Sequence, residues 1–140
     1  MKKSFKKISI FLLAFVGISA VPSGIALLID PSGASLRMDT SLLAHSPFEN
    51  FIVPGAVLLC VIGVGSLSIL TVLVTRKRPA PELDLVAGSV LMGWILFEMV
   101  FIQRLHIFQF LYLTIAMILI FLGTQKRSVS LRKGREYFDE

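Results

Sequence analysis

The chain predicts an all-α membrane protein: four transmembrane helices in one bundle, with both termini on the cytoplasmic side. Three observations carry that expectation. Apolar residues make up 55% of the 140 positions and charged residues only 16%, with a mean hydropathy of +0.82, well above the soluble norm. The apolar residues fall in stretches long enough to cross a bilayer. The basic residues fall almost entirely on alternate connections. A separate soluble domain has no room, so residues 1–140 read as a single membrane domain.

The first span is expected over about residues 8–29, with no charge inside it. Lys2, Lys3, Lys6 and Lys7 precede it. A basic start before an apolar run also describes a secretory signal, with Ile18-Ser19-Ala20 as its cleavage site. The run continues to Ile29, however, beyond a signal core of about 7–15 residues, so the segment reads as a retained span. Pro22 should kink it. Asp30-Pro31-Ser32-Gly33 should end it, because these residues favour turns.

The second span is expected over about residues 48–74. Ser46-Pro47-Phe48-Glu49 has the pattern of a capping box with proline at the first helical position. A helix of that length would measure about 40 Å against a hydrocarbon core of about 30 Å, so it should tilt or begin in the headgroup layer. Arg76-Lys77-Arg78-Pro79 should stop it. From residue 83 to 123 only Asp84, Glu98, Arg104 and His106 can carry charge near neutral pH. One helix over that length would be about twice the membrane thickness, so the chain must turn back. The turn is expected at 103–106, with spans over about 84–102 and 107–123. Glu82 and Asp84 suit the positive end of the third helix. Residues 30–47 form the outer loop, where Asp39 or Thr40 could cap a short interfacial helix. That loop reads either as a cover on the bundle or as a lid over a site. Residues 124–140 form a basic tail.

The N-terminus, the 76–78 connection and the tail hold four, three and five basic residues, twelve in all; the other side holds only Arg37 and Arg104. Retention of basic residues in the cytoplasm then predicts the orientation. It also accounts for the high isoelectric point without nucleic acid, which would need a basic face with readers of the bases. Anionic lipid headgroups at the cytoplasmic face are the expected partners. Ala14, Gly17, Val21 and Gly24, then Gly55, Ala56, Gly63 and Ser66, then Ser89 and Gly93, would let helices approach closely, either within the monomer or in a homo-oligomer.

Asp30-Pro31-Ser32-Gly33, then Leu36 and Met38, then Ser46-Pro47-Phe48 and Pro54-Gly55 together resemble a pattern found in small uncharacterised four-span bacterial integral membrane proteins. The resemblance covers about residues 17–123. It implies the same topology and a bacterial inner membrane, and it brings no activity. The layout is also similar to that of DoxX-like four-span proteins. No functional residue is carried over from either.

Glu98 is the acid set deepest in a span, about five residues from its outer end. One reading is a helix–helix or headgroup contact. The other is a proton or ligand site with Arg104 and His106, and with Gln103 or Gln109 nearby. Glu98 and Arg104 are six residues apart, so contact would need the hairpin to bring Arg104 back. His45 and His106 have no metal-ligand spacing, and no metal or other cofactor is expected. Cys60, the lone cysteine, is expected to be a small packing residue. Gly63-Val64-Gly65-Ser66 lacks the lysine of a phosphate loop and lies inside a span. No catalytic constellation is visible, so the chain is expected not to be an enzyme. The expected function is a structural or accessory membrane component. The alternative is a binder or transporter of a small solute or lipophile with Glu98 in its site.

Overall fold

The computed structural model describes residues 2–34, 47, 49–76, 81–101 and 107–138. Within them the chain is all-helical. The first helix, α1, is Lys2–Ile29. The second rod has three continuous parts: α2 (Ile52–Val57), a π-helical stretch (Leu58–Val64) and α3 (Gly65–Thr75). The third and fourth rods are α4 (Glu82–Phe101) and α5 (Ile107–Phe138). All four rods are long and apolar enough to cross a membrane. Their apolar residues point outward as well as inward: Phe11, Ile18, Val100 and Phe121 are exposed. A helix that is apolar all round is expected where lipid replaces water.

The first rod starts at Lys2 rather than Ile8, because its lysines are good helix formers and continue the helix. Pro22 lies inside it, and α1 remains one helix through that position. The expected turn follows. Gly33 has φ of 77° and donates its N–H to the Asp30 carbonyl at 3.0 Å. Asp30 Oδ1 accepts from the Ser32 hydroxyl at 2.5 Å.

The expected start of the second span at 46–49 is corrected. Pro47 and Glu49 lie in bends before the helix, and helix begins at Ile52; Ser46 and Phe48 lie outside the described residues. Phe51 is the N-cap and offers no side-chain acceptor; Asn50, one residue before it, accepts the Ile52 N–H at Oδ1 at 3.1 Å. Proline chemistry explains the shift. In a helix begun at Phe48, Pro54 would fall in the interior, at a cost of about 3 kcal/mol. Beginning at Ile52 puts Pro54 in the first turn, where no backbone N–H has a partner to lose. Phe51, 1% exposed, donates its N–H to the Pro31 carbonyl at 3.0 Å and ties this start to the end of α1. At the other end Lys6 Nζ donates to the Arg76 carbonyl at 3.1 Å, covering a terminal acceptor.

The third span, Glu82–Phe101, begins two residues before the expected 84; residue 102 lies outside the described residues. The fourth is helical from Ile107, the first residue described after the expected turn, and α5 continues to Phe138. The expected boundary at 123 is where apolar sequence ends, not where helix ends. Lys, Arg, Leu, Gln and Glu beyond it all sustain a helix. The turn at 103–106 and most of the loop after Ala34, including Arg37, Asp39, Thr40 and His45, lie outside the described residues.

The rods pack as two close hairpins, α1 with the second rod and α4 with α5. Thinner contacts of α1 with α5 and of α3 with α4 join them. The core holds Leu13, Val16 and Ala20 of α1, Ile62 and Leu73 of the second rod, Leu91 and Ile95 of α4, and Ile115, Ala116 and Leu119 of α5. Glycines make the hairpins tight. A Cβ on Gly24 would lie 2.7 Å from the Leu59 backbone nitrogen and 2.9 Å from the Gly55 carbonyl oxygen. A Cβ on Gly88 would lie 2.8 Å from the Ala116 carbonyl oxygen. Gly17, Gly24, Gly55 and Gly63 therefore serve close approach within the monomer, whereas Gly93 faces open space. Hydroxyls along the rods are satisfied locally: Ser68, Thr71, Thr75, Thr114 and Thr124 each donate to the carbonyl four residues back.

Candidate functional sites: a buried ionic clamp and an apolar groove

Three polar side chains from three rods meet near the bundle end that carries both termini. Lys126 Nζ, in α5, donates to Asp84 Oδ2 at 2.6 Å. Ser9 Oγ, in α1, donates to the same oxygen at 2.8 Å. Lys126 Nζ also donates to Ser9 Oγ at 3.1 Å, closing a triangle. Ser9 and Asp84 are buried, at 0% and 1% exposure, while the Lys126 side chain is 18% exposed. Asp84 Oδ1 is also buried and has no hydrogen-bond partner among the described residues. Such a cluster matters because a carboxylate taken out of water must be matched by an opposite charge and donors.

Sequence reading assigned Asp84 to the dipole of its helix and Lys126 to a basic tail, and it gave Ser9 no role. Asp84 does lie in the first turn of α4. The missed signal was depth along the rods. A serine just inside α1, an acid just inside α4 and a lysine just past the apolar part of α5 all sit at the same end of their rods. Matching polar residues by depth would have brought them together.

A second polar contact joins α1 to α5. The Ser19 and Tyr112 hydroxyls are 2.5 Å apart, and the Phe15 and Tyr112 rings are tilted with centroids 6.2 Å apart. Gln109, near the start of α5, is buried and engaged.

Glu98 is half-buried on α4. Its carboxyl adjoins the Trp94 ring one turn away, outside hydrogen-bond geometry. Arg104 and His106, its candidate partners, lie outside the described residues. Among the described residues no three His, Cys, Asp or Glu side chains gather as a metal ion would require. Cys60 is corrected: it is exposed on the π-helical stretch rather than packed.

The hairpins part between the second rod and α4. An apolar groove of about 360 Å³ opens there, with Val57, Val61 and Ile62 on one wall and Gly93, Trp94 and Phe97 on the other. The Trp94 and Phe97 rings stack at 5.7 Å. Trp94 Nε1 is buried and has no hydrogen-bond partner among the described residues. Glu98 does not line the groove.

No protein-family model matches the chain, and neither does a curated protein or a solved structure.

Proposed function

We propose that this chain is a multi-pass protein of a bacterial cell membrane, both termini in the cytoplasm, serving as a non-enzymatic structural or accessory component. The Ser9–Asp84–Lys126 clamp is the observation that carries the structural role. It spends the buried charge of the bundle on tying three rods to one another. The twelve-to-two division of basic residues supports the orientation. In that orientation exposed Lys7, Arg76 and Arg127 stand at the cytoplasmic headgroups.

Two measurements test the reading. In a Cys60→Ala background, single cysteines at Ser41 or Ala44 should react with an impermeant label from outside the cell. Cysteines at Ala80 or Ser130 should react only after permeabilisation. Outside labelling at Ala80 would overturn the orientation. For the role, Glu98→Gln should leave insertion and folding intact and change solute uptake by reconstituted vesicles in no pH-dependent way. A pH-dependent uptake in wild type that Glu98→Gln abolishes would replace the structural reading with a transport site at Glu98.

A further inference from the structure

The second rod holds Leu58–Val64 in π-helical form, where each backbone hydrogen bond spans one residue more than in an α-helix. Nothing local forces the change: the stretch reads Leu-Leu-Cys-Val-Ile-Gly-Val, without proline or hydroxyl. The cause lies in how the rod packs on α1. A Cβ on Gly55 would lie 2.8 Å from Leu27 Cβ, and one on Gly63 would lie 2.8 Å from Val21 Cγ2. From the α1 side, a Cβ on Gly24 would lie 2.7 Å from Leu59 Cβ, and one on Gly17 would lie 2.7 Å from Leu67 Cγ. Gly55, Leu59, Gly63 and Leu67 therefore all face α1, at a constant spacing of four residues.

An α-helix does not repeat every four residues. At about 100° per residue, Leu67 would stand about 120° round the rod from Gly55, off the face altogether. If the π stretch takes up one residue without advancing the helix, the offset falls to about 20°. The stripe then reads as steps of four, three and four, the spacing of an ordinary apolar seam. On α1 it meets Gly17, Val21, Gly24 and Leu27, in steps of four, three and three. The extra residue falls between Leu59 and Gly63, inside the π stretch. We infer that Leu58–Val64 is a register joint: it holds the one residue that the second rod has in excess, and so keeps the glycine contacts in phase on both sides. The excess cannot run out at either end of the rod, because both ends are tied to α1. Phe51 donates its N–H to the Pro31 carbonyl just past one end of α1, and Lys6 reaches the Arg76 carbonyl at the other. The joint depends on neither the orientation of the chain nor its role, so its test is separate from theirs.

Two single-residue deletions in the full-length protein test it. Deleting Cys60, exposed within the stretch, removes the excess residue and leaves a plain α-helix with its face on α1. Deleting Ser68, exposed in α3, removes a residue where none is in excess. It turns Leu73, a core residue, about 100° off its face. Unfolding by sodium dodecyl sulfate in mixed micelles, followed by the emission of Trp94, the only tryptophan, compares them. The Cys60 deletion should unfold at or above the wild-type midpoint. The Ser68 deletion should unfold well below it or show no folded baseline. Gly24→Ala and Gly63→Ala probe the contacts on either side of the joint. Each should lower the midpoint as much in the Cys60 deletion as in wild type, because both contacts survive. A Cys60 deletion that fails to fold, or that is tolerated no better than the Ser68 deletion, would overturn the joint. So would either alanine proving silent in either background, since the rod would then not be held against α1 on that side.

Discussion

Lys126→Met is the sharpest test of how this bundle is held together. The change keeps a long apolar stem and deletes only the ammonium. Asp84, 1% exposed, would then keep only the Ser9 hydroxyl on Oδ2, with Oδ1 already bare. Stranding a buried charge in this way costs about 3–5 kcal/mol. Asp84→Asn strands much less. The amide oxygen still accepts from Ser9 and Lys126, and the lysine, 18% exposed, has a path to solvent. The loss is then near the value of one charged hydrogen bond, about 1.5–3 kcal/mol, at its lower end. The double variant should cost about 2 kcal/mol, less than the singles summed, with a coupling of about 2.5 kcal/mol or more, at or above the upper end of the range of about 0.5–3 kcal/mol seen for contacting residues. Unfolding by sodium dodecyl sulfate in mixed micelles, followed by Trp94 emission, measures all three. A Lys126→Met cost below about 1 kcal/mol, the value of an exposed pair, would refute the buried clamp. So would a larger cost for Asp84→Asn than for Lys126→Met.

Other outcomes follow from the packing and the caps. Gly24→Ala drives a methyl against the Leu59 nitrogen and the Gly55 carbonyl; it should destabilise the bundle by about 1–3 kcal/mol in the same titration. Gly93→Ala, facing open space, should stay within about 0.5 kcal/mol of wild type. Asn50→Ala removes the acceptor for the Ile52 N–H and should cost about 1 kcal/mol of local helix stability. Hydrogen exchange over the first turn of α2 reads this directly, and Ser46→Ala should leave the same amides unchanged.

Helix content and helix number were legible because they depend on composition and length alone. Twenty-odd apolar residues without water to bind must close their own backbone hydrogen bonds, and that predicts four rods before any contact is known. Breakers placed the ends well where chemistry is local, as at Asp30–Gly33. Boundaries failed where two local signals competed. Ser46–Glu49 reads as a cap, but Pro54 cannot lie deep in a helix, and the proline outweighs the cap. The far end of α5 failed differently, because loss of hydropathy is not loss of helix propensity. What only the tertiary structure decided is which polar residues meet. Ser9, Asp84 and Lys126 are separated by 75 and 42 positions, and no periodicity links them. They converge because a charge near an apolar core must find its partner at the same depth on a neighbouring rod. The groove likewise has no mark in the sequence. It exists because the second rod turns to pack on α1, α4 turns to pack on α5, and Gly93 leaves the seam between them unfilled.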